Sequence, residues 1–201
     1  MEITGQYFYF IGWIGWIIVT FFFPKSVVRT FMSILILVVI AGSTTTVQMF
    51  GFTVTASFLV LAVIAFILLV KSLKQRYILH YLSICTIALA YVCFILFEIY
   101  DPVWIFLDRT WLLSVIILYL SLLLFKTKRE RFVFMLTGVL FGEVLRSIVM
   151  DRIFSYSVIG TFEFLAVLAL SSAGMATWMM FETLTIQLDS IIQKRVRERQ
   201  G

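Results

Sequence analysis

Glu143, Arg146 and Glu163 stand inside long apolar runs, where an ionised side chain is costly unless it is paired or hydrated. Glu143 and Arg146 are three residues apart, so on a helix they share a face. At the helical rise they lie about 10 and 6 Å below the outer end of their run at Met150, and Glu163 lies about 9 Å below Ser157 on the next. That shared depth makes an Arg146 to Glu163 pair between neighbouring antiparallel helices geometrically reasonable. Glu98 falls near the outer end of an earlier apolar block, with Asp101, Asp108, Asp151 and Arg152 close by at the surface.

This constellation has two readings. The functional one is a polar pocket opening outward, able to bind a small cation or polar ligand or to pass a proton between carboxylates. The structural one is an interhelical ion pair that fixes how the last two helices pack, a role in which buried pairs serve specificity more than stability. Two acids to one base leave a spare carboxylate, which favours something beyond a staple. No nucleophile stands with these acids. There is no HExxH, no Gly-rich phosphate loop, and no lysine in the last apolar block for a retinal Schiff base. No enzymatic activity and no cofactor are expected.

Metal chemistry is equally unsupported. His80 has no partner at ligand spacing and reads as an interfacial packing residue beside a basic loop. Cys85 and Cys93 are eight residues apart in one apolar block, about 12 Å along a helix and too far to bridge.

The elements that must carry these residues follow from composition. The chain of 201 residues is 62% hydrophobic and 13% charged, against about 25% charged in a soluble domain. With two prolines and ten glycines there is little loop material, and no room for a soluble domain. The net charge of +5 would suggest nucleic acid in a soluble protein. Here the bases cluster between apolar blocks, which the anionic inner leaflet and the positive-inside rule explain without nucleic acid.

A bilayer core of about 30 Å needs around 20 helical residues. Seven blocks qualify, approximately 7–23, 28–45, 52–70, 78–100, 103–125 (or starting at Trp111), 132–150 and 157–181. The expected fold is therefore an all-α polytopic transmembrane bundle over residues 1–181, followed by a basic cytoplasmic helical tail at 182–201. Lys25, Arg29, Lys71, Lys74, Arg76, Lys126, Lys128, Arg129, Arg131, Lys194, Arg195, Arg197 and Arg199 all fall on one side of these blocks. That alternation puts the N-terminus outside and the C-terminus in the cytoplasm, and only an odd number of spans fits it. The segment Ser43 to Gln48 reads as an extracytoplasmic turn, or else the second helix continues to about Met49. The opening MEITGQ lacks the basic n-region of a signal peptide, so the first block is expected to stay in the mature protein.

Gly138 and Gly142 form a GxxxG, and Ser172 with Ala176 a small-xxx-small pair. Both favour close helix contact, within the bundle more readily than between copies. Trp13 and Trp16 read as interface anchors and lipid-facing surface. Both prolines, Pro24 and Pro102, lie at block ends, so the broken midplane helices of many transporters are not signalled. In the tail, Leu184, Leu188, Ile191 or Ile192, and Val196 recur at helical spacing. That pattern fits an extension of the last helix that could meet a membrane or cytoplasmic partner protein.

The layout resembles that of the small membrane proteins of bacilli known as the YphA family. The likeness rests on a chain of about two hundred residues, the aromatic opening YFYFIGWIGWIIVTFFFPK, inner loops such as KTKRER, and the basic tail. It implies a multi-pass plasma-membrane protein of a Gram-positive bacterium and carries no catalytic residues to transfer. The function expected is a non-enzymatic interaction, regulatory or envelope-associated role. The alternative is a small transporter or ligand-sensing bundle using Glu143, Arg146 and Glu163. The residues leave oligomeric state open.

Overall fold

Apolar runs with back-bonding hydroxyls and capped ends fold as helices wherever water is excluded. The computed structural model describes residues 3–49, 51–72, 77–101 and 108–200. Among these, seven helices follow one another: α1 (Ile3–Phe22), α2 (Val27–Gly42), α3 (Ala56–Ser72), α4 (Tyr77–Tyr100), α5 (Arg109–Leu124), α6 (Lys128–Phe154) and α7 (Phe162–Gln200). Their starts are written in local chemistry. Ser26, Asp108 and Thr127 cap α2, α5 and α6 through side-chain oxygens that accept from Arg29, Thr110 and Glu130 N–H. Thr127 with Glu130 is the T-x-x-E pattern of a capping box. Inside the helices, Ser83, Thr86, Ser121, Thr137, Ser171 and Thr177 return their hydroxyls to the carbonyl four residues earlier, which satisfies them where no water could.

Among the described residues, four helical stretches are long and apolar enough to cross a membrane by themselves: Gly5–Phe22, Ile78–Tyr100, Lys128–Phe154 and Phe162–Asp189. α2, α3 and α5 are apolar but shorter, at 16, 17 and 16 residues. The interior is made chiefly by α6, whose Val133, Phe134, Met135 and Val139 are buried, together with Phe164 to Leu168 of α7 and Ile87, Ala88 and Tyr91 of α4. The outer surfaces of α1 to α5 are the reverse of a soluble protein's, with Phe21, Phe22, Phe31, Phe66, Leu89 and Leu123 exposed. α2 buries no residue at all. Such a continuous apolar surface suits lipid.

The structure corrects several expected boundaries. The second block ends at Gly42 instead of residue 45 or Met49, and the third begins at Ala56 instead of Phe52. The segment between them, expected as a turn, is an antiparallel hairpin of β1 (Thr46–Met49) and β2 (Phe52–Thr55). A third strand, β3 (Val158–Ile159), pairs in parallel with Thr53 and Val54 of β2. The bundle is thus not purely α. The physical reason is local: Thr46, Val47, Thr53, Val54 and Thr55 are β-branched residues that favour extended backbone, and Gly51 adopts φ +85 at the reversal. The seventh block starts its helix at Phe162 for the same reason, since residues 158–159 are strand. α6 is longer than the expected 132–150 because its cap lies at Thr127 and it runs on until Ser155 turns left-handed at φ 53. The possible fifth-block start at Val103 lies outside the described residues; the helix observed begins at Arg109.

Small residues set the closest approach. A Cβ added at Gly138 would stand 2.7 Å from Ile87 Cγ2, and one at Gly142 3.0 Å from Tyr91 Cδ1. The GxxxG therefore seats α6 on α4 within one chain. On α7 the expected pair lies elsewhere, with Ala176 exposed and Ser172 half-buried. Gly174 makes the close contact, a Cβ there falling 2.9 Å from Leu118 Cδ2 of α5. His80 stacks on Phe134 with ring centroids 4.6 Å apart, and Phe125 stacks on Phe134 at 4.7 Å. Cys85 and Cys93 are free thiols.

Overpacking this seat is expected to be costly. Gly138→Ala should destabilise the purified protein by about 1–3 kcal/mol. Ile87→Ala, which removes the Cγ2 that meets the added Cβ, should make the loss in the double variant smaller than the sum of the two single losses. Unfolding in a denaturing-detergent titration measures both, and additive losses would show that the two residues do not share the contact.

Candidate functional site

The face of α6 that carries Glu143, Arg146 and Ser147 turns into the bundle, and all three are buried. Arg146 forks back onto Glu143 of its own helix, Nε donating to Oε2 at 2.8 Å and Nη2 to Oε1 at 2.7 Å. The bidentate geometry is the strong form of this pair. Tyr91 of α4 donates its hydroxyl to Oε2 at 2.9 Å, and the backbone N–H groups of Gly160 and Thr161 donate to Oε1 at 3.0 and 3.4 Å. Glu143 is 0% exposed. Its two oxygens thus take five hydrogen bonds from α4, from α6 and from the turn that leads β3 into α7.

That turn is shaped to deliver them. Gly160 has φ +82, which favours glycine. A Cβ there would overlap Thr55 Oγ1 and approach Phe58 Cβ to 2.7 Å. The Gly160 carbonyl accepts from Thr55 Oγ1 at 2.9 Å, and the Val158 carbonyl from Ser147 Oγ at 2.8 Å. Irregular backbone at membrane depth is tolerated only when protein satisfies it in this way.

A second polar group lies on the other side of Tyr91. Arg109, the first residue of α5, pairs with Glu98 of α4 at 3.2 Å and with Glu163 in the first turn of α7. An acid in the first turn also suits the helix dipole of α7. Tyr91, Phe94, Glu98, Arg109, Thr110 and Glu163 line a crevice among these helices, with room for about one water molecule. Among the described residues no three His, Cys, Asp or Glu side chains converge as a divalent or transition-metal site would need.

The four acids and bases singled out by sequence therefore fall into two clusters. The expected Arg146 to Glu163 pair is replaced: Arg146 closes on Glu143, and Glu163 meets Arg109. Glu98 joins Glu163 on that guanidinium. Sequence spacing singles out neither Arg109 nor Tyr91. The Asp108 cap was the available signal for Arg109, because a helix beginning there brings Arg109 to the level of Glu98. Nothing in the spacing marked Tyr91 or Gly160.

At the opposite end of the bundle, Arg131 of α6 bonds the Phe125 carbonyl at 2.8 Å and Glu182 of α7 at 3.1 Å, and Lys128 bonds the Thr183 hydroxyl at 2.7 Å. α7 is thus tied both in its first turn and at Glu182 and Thr183.

A model of the YphA-like integral membrane protein family matches residues 4–201. The chain is similar to the YphA protein of Bacillus subtilis (strain 168), with 27% identity over 197 residues that cover 97% of this chain and 96% of that one. No solved structure matches it.

The Glu143 knot makes a quantitative expectation. Removing one charge leaves the other buried and unpaired, so Glu143→Leu should cost about 3–5 kcal/mol. Adding Arg146→Met should restore part of the loss, since two well-packed apolar side chains can replace a buried pair. Gly160→Ala should fail to accumulate in the membrane at wild-type yield. Detergent-resistant yield and unfolding midpoints read all three.

Proposed function

Since this chain belongs to the YphA-like integral membrane protein family, we propose that it is a seven-span plasma-membrane protein, N-terminus outside, that works without catalysis. Its role in this reading is interaction, regulatory or envelope-associated, exercised through the cytoplasmic end of α7 and the inner loops. The observation that carries the reading is the unbroken course of α7 over 39 residues.

The ion-paired residues Glu163 and Glu182 are separated by 19 positions on α7, about 28 Å, which matches a hydrocarbon core of about 30 Å. Beyond Thr183 the helix continues to Gln200, about 25 Å further. Leu184, Ile186 and Leu188 are exposed there. A straight extension carries the basic end away from the leaflet, which favours a protein partner over a lipid surface.

The three short helices fit the same slab. α5 runs from Arg109, paired with Glu163, to Phe125, whose carbonyl is held by Arg131, so it covers the interval that α7 covers. α2 runs back along α1, Thr20 bonding Ser33 at 3.0 Å and Tyr9 bonding Ser43 at 2.9 Å. Lys25, Arg29, Lys71 and Lys126 flank the short helices and can reach the inner interface.

The rival reading, a small transporter or ligand-sensing bundle at Glu143, Arg146 and Glu163, is weakened by the saturation of Glu143. A carboxylate with five internal donors offers a ligand little, and in this reading the pair acts as a staple.

Paired reporter fusions test the topology: an exterior-active reporter should work when inserted beside Gly51, and a cytoplasm-active one after Gly201. Activity of an exterior reporter after Gly201 would overturn the span count. For the tail, a chain ending at Thr183 keeps both inner clamps and should insert at normal yield. A photocrosslinker at Leu188 of the full chain should give a discrete protein adduct in cells, reduced by co-expressing residues 182–201 as a soluble peptide. Crosslinks to lipid alone would sink the partner reading.

A further inference from the structure

The small sheet has two edges, and α6 closes one of them. On β3 the Val158 carbonyl, which points away from β2, accepts from Ser147 Oγ at 2.8 Å and from Arg146 Nη2 at 3.4 Å. The β1 edge is different. Ala56 donates its N–H to the Thr45 carbonyl at 2.9 Å, and by the alternation of an antiparallel ladder Val47 and Met49 then turn their backbone groups to β2 while Thr46 and Gln48 turn theirs outward. Thr53, opposite Gln48, faces away from β1 in the same way and donates to the Ser157 carbonyl at 2.8 Å. All four residues of β1 are exposed. Proteins blunt such an edge with lysine, proline or a bulge, but β1 is TVQM in unbroken register and has none of these.

The open edge fits its own copy. Two β1 strands placed antiparallel about Val47 set Thr46 opposite Gln48 twice, each pair exchanging both backbone bonds, and set Val47 opposite Val47 in the close position at a Cα separation of about 4.5 Å. Every outward N–H and C=O of Thr46 and Gln48 is then used. The side chains agree, since Val47 is 47% exposed and shares a sheet face with its partner Val54 and with Phe52, which rest on the core. The two-fold axis of such a pair stands normal to the sheet. Both cores therefore stay on the same side of it, as two copies sharing one bilayer require.

We propose that β1 is a self-association edge, through which two copies of this chain join their three-stranded sheets into one continuous sheet. This goes beyond the interaction role argued above and does not rest on it: the pairing needs neither the tail nor a given side of the membrane, only copies of one orientation. The contact is small beside the ~1,600 Å² of a stable soluble complex, so the dimer is reversible and depends on confinement of both copies to one membrane.

The test oxidises single-cysteine variants of the full chain in native membranes, with Cys85 and Cys93 replaced by alanine. Val47→Cys should give a disulfide-linked dimer, because its Cα separation from its copy falls within the usual disulfide range of about 4.4–6.8 Å. Met49→Cys lies on the same face and is 40% exposed, but in this register it stands four residues, about 14 Å, from its copy and should link at least about tenfold more slowly. Gln48→Pro removes an outward N–H that the hairpin itself does not use, a place where an edge strand tolerates proline. It should insert at wild-type yield and abolish the Val47→Cys dimer. If that variant fails to insert, Val47→Lys puts two like charges on the axis and should abolish energy transfer between donor- and acceptor-labelled copies in dilute vesicles. Equal linking at residues 47 and 49, no linking at either, or dimers that survive the insertion-competent variant overturn the proposal. A photocrosslinker at Val47 that captures another protein and never a second copy makes the occupant a foreign strand and overturns it too.

Discussion

A carboxylate with no exposed surface, held between helices at membrane depth, constrains this protein more than any other group. Glu143 would be costly to ionise there without compensation, and the five donors around it are what make the site affordable. Those donors cannot come from one helix. Arg146 is supplied by α6 itself, Tyr91 requires α4 at close range, and the N–H groups of Gly160 and Thr161 require the chain to bend inward before α7 starts. Gly138 and Gly142 bring α4 near enough for the tyrosine to reach. The inward bend in turn explains the small sheet, because Val158 and Ile159 are fixed beside Thr53 and Val54 of β2. A polar requirement at one atom pair thus propagates into helix spacing, a glycine and three strands.

The second constraint is thickness. Two levels of ion pairs stand near opposite ends of the apolar part of α7: Glu98, Arg109 and Glu163 at its start, Arg131 and Glu182 further along. Charges at such levels keep contact with water or headgroups while their stems lie along apolar surface, so they register each helix vertically. α7 is held at both levels. A helix clamped at two points about 28 Å apart behaves as a strut, and its orientation beyond Thr183 is set by Lys128 and Arg131.

Much of this could be read from the residues. Apolar run length and the distribution of Lys and Arg marked the helices, and the three-residue spacing of Glu143 and Arg146 placed both on one face. What failed depends on helix rotation about its own axis, which run length does not carry. Residues at equal depth need not face each other, so Glu163 met Arg109 rather than Arg146. The strands were missed for a related reason. Within a chain this apolar, Ser43 to Gln48 reads as a turn and Phe52 to Thr55 as the start of the third block, although the β-branched residues on either side of Gly51 are arranged in the manner of a hairpin. Gly160 and Tyr91 are not marked in the sequence because their importance lies in a partner 17 and 52 positions away respectively, and neither residue type is unusual in its own segment.

The two clusters differ in a way that bears on what the protein can do. Around Glu143 the donors outnumber what a ligand could replace, Ser147 and Thr55 tie up the carbonyls of Val158 and Gly160, and the charges of Glu143 and Arg146 cancel. Nothing there gains by exchanging a partner. Around Arg109, which holds both Glu98 and Glu163, the buried Thr110 hydroxyl has no hydrogen-bond partner among the described residues, and Arg109 and Glu163 are each 37% exposed. Groups that reach water can exchange partners at small cost, because solvent replaces what is lost. The first cluster therefore belongs to the architecture, whereas the second can exchange partners. Since Glu163 stands in the first turn of α7, a change of partner at Arg109 acts on the same helix that Arg131 and Lys128 hold at Glu182 and Thr183.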